Sequence, residues 1–135
     1  TIQLNHTIVR AHDKHTSAAF LAKILDLPLD PPWGPFLPIS LGNGVTLEYV
    51  DVGDAPVQSQ HYAFLVTDDV FDAAFARIRD TGITYWADPF HQQPGQINHD
   101  HGGRGIYFDD PDGHNLELQT TPYGNPPGTR ATGNR

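Results

Sequence analysis

Ile106-Tyr107-Phe108-Asp109-Asp110-Pro111-Asp112-Gly113-His114-Asn115-Leu116-Glu117-Leu118-Gln119 alternates in character, reverses, and alternates again. Asp110-Pro111-Asp112-Gly113 supplies the residues a tight reversal needs, so the stretch reads as a β-hairpin. On its second strand Leu116 and Leu118 point one way while Asn115, Glu117 and Gln119 point the other, because strand side chains alternate. Glu117 is thereby fixed on a polar face opposite a buried one. A carboxylate so placed serves as a metal ligand, as a general base, or simply faces water.

Upstream, the chain runs through one order of elements twice. Ile2 to Val9 alternates as a strand with His6 at its middle. Asp13 to Leu27 has Ala18, Phe20, Leu21, Ile24 and Leu25 at helical spacing, with Thr16 or Ser17 as N-cap and Pro28 as its stop. Asp30-Pro31-Pro32-Trp33-Gly34-Pro35 is loop or ragged edge strand. Gly42-Asn43-Gly44 then joins a strand over Phe36 to Leu41 to another over Val45 to Val50, which carries Glu48. Shifting the chain by 55 residues lays His6 on His61, Asp13 on Asp68, and Phe20 on Phe75. Gln60 to Val66 is accordingly a strand, and about Asp69 to Asp80 an amphipathic helix. Glu48 and Glu117 are 69 apart, so the second copy holds 14 extra residues, which the polar run His91 to Gly103 accommodates. Long polar loops in compact domains are disproportionately functional.

Each copy reads β-α-β-β-β, with too little sheet to bury alone. The expected fold is α+β: one domain over residues 1–121, made of module 1 (about 1–52) and module 2 (about 60–121). The combined mixed sheet should curve around a cup with the helices outside. The tail from residue 122 to 135, with Pro126-Pro127 and several Gly, should be extended or mobile.

Composition excludes several partners. Eight Lys and Arg face sixteen Asp and Glu, a formal net charge of −8, so no basic stripe exists for nucleic acid or an anionic membrane. A small-molecule partner is the expectation. No Cys is present, which removes disulfides, thiolate nucleophiles and thiolate metal sites. With no apolar run of membrane-spanning length and no signal peptide, a cytoplasmic location is expected.

Four residues fall at matching places in the two copies: His6 and His61 in the first strands, Glu48 and Glu117 in the last. If a pseudo-two-fold axis relates the copies, the four converge. Imidazole and carboxylate together suit a divalent ion such as Zn, Fe(II), Ni or Mn. The alternative is two satisfied core histidines and a solvated Glu48.

Leu4-Asn5-His6-Thr7-Ile8-Val9, Gln60-His61-Tyr62-Ala63-Phe64-Leu65-Val66 and Phe108 to Leu118 resemble the signature regions of the vicinal oxygen chelate superfamily. That superfamily includes glyoxalase I, fosfomycin-resistance transferases, extradiol dioxygenases and bleomycin-resistance proteins. The resemblance spans roughly residues 2 to 121. It implies paired β-α-β-β-β modules and one divalent metal ion held by His6, His61 and Glu117, with Glu48 in the place of a fourth ligand found in glyoxalase I. It also implies a homodimer.

The resemblance implies Lewis-acid chemistry on two oxygens of a substrate, and the leading expectation is a glyoxalase-like isomerase or lyase acting on a small oxygenated substrate. Glu48 or Glu117 would accept the proton, and Tyr107 matches a tyrosine placed near the substrate in fosfomycin transferases. Against fosfomycin itself, Ile8 and Gly105 replace hydroxyl residues and the His-rich insert replaces the phosphonate-binding loop. Only Arg10 and Arg104 lie near the cup, which argues against glutathione carboxylates. The second expectation is a small extradiol-type Fe(II) dioxygenase, with His99 or His101 as an additional His and Tyr107 as the Tyr. The third is a metal-free protein sequestering an aromatic ligand. His91, His99 and His101 read as solvated loop residues, and Trp33, Trp86 and Phe90 either wall the cup or, the preferred reading, pack under it.

Overall fold

The computed structural model describes residues 1–124. Most of the expected tail lies outside them; its start is tied down, since Gly124 N–H donates to His101 Nδ1 (3.2 Å) and the Tyr123 ring lies 5.0 Å from that imidazole. The chain forms two compact units, Thr1–Gln58 with Asp110–Gly113, and Ser59–Asp109 with the segment from His114 onward.

In the first unit, strand β1 (His6–Ala11) leads to helix α1 (Lys14–Leu25), then β2 (Leu37–Ser40) and β3 (Thr46–Asp51). The sheet order is β1-β3-β2, with β1 parallel and β2 antiparallel to β3. Val9 and Ala11 on β1, Leu47 and Tyr49 on β3, and Leu37 and Ile39 on β2 are buried with Ala18, Leu21 and Ile24 of α1. His6, Ile8 and Arg10 take the other, exposed face of β1, as a period of two requires. The helix begins one turn earlier than Thr16 or Ser17 suggests. Asp13 is the N-cap, its carboxylate accepting from the N–H groups of His15 and Thr16, and these bonds hold it below the usual carboxylate range. The helix ends before Pro28, at Asp26 in the left-handed conformation (φ 55°).

The Pro-rich stretch 30–35 leaves the first module with one fewer regular strand than the second. Proline has no N–H to give to a ladder. All that forms is an isolated bridge, in which Trp33 and Phe36 exchange backbone hydrogen bonds of 2.9 and 3.0 Å.

The second unit realises the full order: β4 (His61–Leu65), α2 (Asp68–Asp80), β5 (Tyr85–Trp86), β6 (Gly105–Asp109) and β7 (Asn115–Gln119). The sheet order is β4-β7-β6-β5, with β4 parallel to β7. Phe64, Ile106, Phe108, Leu116 and Leu118 are buried, as are Phe71, Ala74 and Ile78 of α2. The opposite sheet face carries His61, Glu117, Tyr107 and Trp86. The hairpin turn closes as its residues dictate: Gly113 N–H donates to Asp110 C=O (3.0 Å) with Gly113 at φ 83°.

That turn also serves the first unit. Asp112 accepts from His12 N–H (2.9 Å) and from Ser17 Oγ (2.5 Å), the latter on a nearly fully buried residue. His114 beside it is buried, and its Nδ1 accepts from Gln60 N–H (3.0 Å), fastening the start of β4 to the hairpin.

Among the described residues no helix is long and apolar enough to cross a membrane.

Candidate functional site

The parallel pairing of first and last strands builds the same half-site in each unit. On β1 and β3, His6 lies opposite Thr46 and Ile8 opposite Glu48. On β4 and β7, His61 lies opposite Asn115 and Ala63 opposite Glu117. In both units, therefore, the carboxylate sits two residues beyond the His position on the neighbouring strand and on the same face.

The histidines are also oriented alike. His61 Nδ1 is 2.9 Å from the backbone carbonyl of Asn115, and His6 Nδ1 is 2.7 Å from the side-chain oxygen of Asn5. A carbonyl oxygen accepts, so each Nδ1 carries a proton, and Nε2 is the ring nitrogen that remains for the site. A ring held in this way by an outer oxygen is the usual arrangement of a metal-ligating His.

The carboxylates differ. Glu117 Oε1 is 3.1 Å from His61 Nε2. The Tyr107 hydroxyl donates to Glu117, and its ring lies 6.0 Å from that of His61 at 27°. Burial first, then the Glu117 carboxylate, pushes the Tyr107 phenol well above its ordinary value. Tyr107 is therefore a protonated donor at neutral pH. Glu48, by contrast, has a buried Oε2 with no hydrogen-bond partner. Leaving such an atom unsatisfied costs on the order of 1–3 kcal/mol unless something fills the place.

Within each unit one imidazole and one carboxylate are donors of the kind a divalent ion takes, and in the first unit a Glu48 oxygen is unpartnered. Among the described residues no three His, Asp or Glu side chains form a group able to hold one, so each unit by itself offers a pair.

Glu48 and His6 border a cleft of about 490 Å³ in the first unit, with Ile8, Trp33 and Phe36 also in its lining. Trp33 is 73% exposed, not packed beneath the site, and its ring stacks on Phe36 at 6.4 Å and 18°. Phe90 is likewise exposed. A Trp in a Pro-rich loop with no periodic apolar partner was the available signal for an exposed wall.

Of the three loop histidines, His99 is exposed as expected, whereas His91 and His101 are engaged. His91 lies flat on Trp86, ring centroids 3.6 Å apart at 6°, with a buried Nε2 that has no hydrogen bond. His101 accepts from Gly124, and His99 borders a separate polar pocket with Asp68 and Arg104. The loop itself is pinned. The Asp88 carboxylate accepts from Gln92 and Gln93 N–H, while Asn98 and Gly105 exchange backbone bonds of 3.0 Å each. Gly105 lies close under Asn98, where an added Cβ would come within 2.8 Å of the side chain. Arg104 is already paired within its unit. Its guanidinium spans Asp72 (2.7 Å) and Asp68 (3.0 Å) and lies over the Phe71 ring.

Comparison with known proteins identifies the family. The family model described as Glyoxalase/Bleomycin resistance protein/Dioxygenase superfamily matches residues 3–118. A glutathione transferase, FosA of Serratia marcescens, is 31% identical over 120 residues, which is 85% of this chain and 78% of that protein. Among solved structures, the oxidase ChaP-H2 is 60% identical with a TM-score of 0.89, covering 93% of this chain and 98% of its own. The oxidase ChaP-H1 is 53% identical at the same TM-score, covering 93% of this chain and 100% of its own. With its paired modules, its matching His and Glu strand positions and a family match over most of its length, this chain belongs to the glyoxalase/bleomycin resistance protein/dioxygenase superfamily.

Proposed function

We propose that this protein is a metal-dependent oxidase that takes a small oxygenated substrate through two adjacent oxygens and uses dioxygen as the oxidant. The observation that carries the reading is the 60% identity to an oxidase across 93% of the chain. It favours the dioxygenase-type expectation over the isomerase or lyase one.

In this reading His6, His61 and Glu117 hold the ion, and Glu48 serves as the base beside it. When bound, the ion supplies Lewis acidity to two substrate oxygens and to the negative charge that develops on them. The chain's own residues do the rest. Asn5 and the Asn115 carbonyl keep each imidazole turned with Nε2 outward. Tyr107 stays protonated, donates to Glu117 and fixes that carboxylate. Glu48, with its unpartnered oxygen, is the group suited to accept a substrate hydroxyl proton. In a ring-cleaving version one carbon–carbon bond breaks and both dioxygen atoms enter the product, so no separate reductant is needed. The same Glu48 base would serve an isomerase, which is why the oxidant is the discriminating observation.

The test is to purify the protein without a metal-affinity step, determine its metal content, and follow dioxygen uptake with vicinal diols after reloading with Fe(II), Zn, Ni or Mn. Stoichiometric uptake that stops under anaerobic conditions supports the reading. Turnover of a diol or hydroxyketone at an unchanged rate without dioxygen would replace it with the isomerase or lyase.

A further inference from the structure

His91 is held against its surroundings in three ways that each work against the fold. Its backbone takes φ 61°, in the left-handed region that a residue with a Cβ avoids. Its ring lies on Trp86 with centroids 3.6 Å apart at 6°, an almost eclipsed sandwich, whereas two neutral rings prefer to slide apart or meet edge to face. Its Nε2 is buried without a hydrogen bond, 3.6 Å from Asp109 Oδ1, a separation within ion-pair range but too long for a hydrogen bond.

Positive charge on the ring accounts for the last two. A neutral ring with its proton on Nδ1 would turn a lone pair toward the Asp109 carboxylate, and one with its proton on Nε2 would sit eclipsed over the indole with no charge to hold it there. An imidazolium is attracted by both neighbours, the carboxylate and the negative face of the indole. The other titratable groups on this face of the sheet are Tyr107 on β6, Glu117 on β7 and His61 on β4, the last two 3.1 Å from each other. The loop itself adds Asp88 and Asp100, close enough to act on the Tyr107 phenol. Apart from His61, these groups are acids.

The loop is built to let the ring go. On its far side it is anchored, the Asp88 carboxylate accepting from Gln92 and Gln93 N–H at 2.9 and 2.8 Å. Within the arc Pro89-Phe90-His91 the bonds from His91 N–H to Asp88 C=O and from Asn115 Nδ2 to Pro89 C=O are longer, each 3.3 Å. Phe90 at the middle of the arc is exposed. A strained arc between fixed ends, kept down by a charged contact, opens when the charge goes.

We propose that His91 is a charge-dependent clasp: as an imidazolium it holds the 89–91 arc on Trp86 and Asp109, and as a neutral ring it releases the arc and uncovers the indole. Trp86 pairs in register with Tyr107, which donates to Glu117, so the clasp governs access to the end of the sheet face next to the candidate site. It stands without the oxidase reading, since neither metal nor dioxygen takes part.

The chain has two Trp, so Trp33→Phe leaves Trp86 as the only indole reporter. Between about pH 5 and about pH 9 the metal-free variant should expose Trp86 to acrylamide as pH rises, its quenching constant at least doubling. In NMR spectra of the unaltered protein, the cross-peak between His91 and Trp86 ring protons should be present at the acid end and lost at the alkaline end. On the Trp33→Phe background, Asp109→Asn should move the opening to lower pH, because the imidazolium loses its anionic partner. His91→Arg, planar and charged throughout, should stay closed across the range, and His91→Gln should stay open. Circular dichroism checks that each variant folds, and the spectra of the unaltered protein decide the matter should one fail to. Trp86 quenching that does not change with pH overturns the proposal, as does a cross-peak that persists at the alkaline end. So does a pH response that survives in His91→Gln, a His91→Arg variant that opens like the parent, or an Asp109→Asn transition at the parent's pH.

Discussion

The two modules carry the same His and Glu at the same strand register, yet they leave the carboxylates in opposite states. Glu117 is engaged from both sides, by His61 Nε2 at 3.1 Å and by the Tyr107 hydroxyl, whereas Glu48 buries an oxygen that nothing satisfies. The difference arises in what each strand has beside it. On β6 the register puts Tyr107 directly against Glu117, while the corresponding neighbour of Glu48 on β2 is Pro38, which has no hydroxyl or N–H to give. A repeat therefore reproduces backbone position more faithfully than chemistry. One copy leaves its carboxylate engaged and the other leaves a carboxylate oxygen unpartnered.

The largest effect that would sharpen this contrast is on metal and turnover. Glu117→Gln should remove bound metal and lower kcat/KM by more than about 100-fold, since losing a ligand should exceed the 10–100-fold typical of a residue behind one. Glu48→Gln should retain metal and lose mainly kcat. If Glu48→Gln loses metal as completely as Glu117→Gln, the two carboxylates are equivalent ligands and the division of roles is wrong.

Next in size is the hairpin turn, which belongs to the first unit although its strands belong to the second. Asp112→Ala removes two acceptors for His12 and the buried Ser17, and should cost about 2–3 kcal/mol in urea unfolding. Arg104→Ala makes the matching test in the second unit, deleting two partly exposed ion pairs and a cation–π contact. About 1 kcal/mol is expected after solvent screening, with little change in KM. A large rise in KM would return Arg104 to the substrate.

The smallest effect compares the two helix starts. Asp13 caps α1 with its side chain, whereas Thr67 at the start of α2 makes no such bond and leaves Asp68 and Asp69 to meet the helix dipole. Bonds from Thr16 and His15 lower the Asp13 carboxyl below its ordinary 3.8, so its contribution is complete above that value and fades as pH falls through the depressed one. Asp13→Asn should therefore lower Tm at pH 7 relative to the parent, with the gap narrowing below about pH 4. A gap that widens on acidification would contradict the cap.

Much of the fold was legible because it rests on local periodicity. The alternation of Leu116 and Leu118 with Glu117, the Asp-Pro-Asp-Gly turn and the repeat at 55 residues all express constraints within a few residues of each other. Strand ends were less legible: β1 runs His6–Ala11, shifted toward the C-terminus from Ile2 to Val9. Partner strands rather than alternation decide where a ladder stops. The Thr16 or Ser17 cap was misplaced for a similar reason. Thr16 supplies an N–H to Asp13, and Ser17 is spent on Asp112, a residue 95 positions away.

His6, Glu48, His61 and Glu117 are singled out by their position in the repeat, and Tyr107 by the family resemblance. Their surroundings are not. The orphaned Glu48 oxygen has no signature in the string, and neither has the stacking of His91 on Trp86.

The sequence alone determined the two-copy plan, the strand faces and the identity of the chemical groups, because side-chain period and turn chemistry act over short distances along the chain. Tertiary structure alone decided which ring nitrogen each His presents, which carboxylate is already engaged, and which aromatic is left in water. Those depend on atoms contributed by strands and loops far apart in sequence, and a hydrogen bond exists only where folding brings its two ends together.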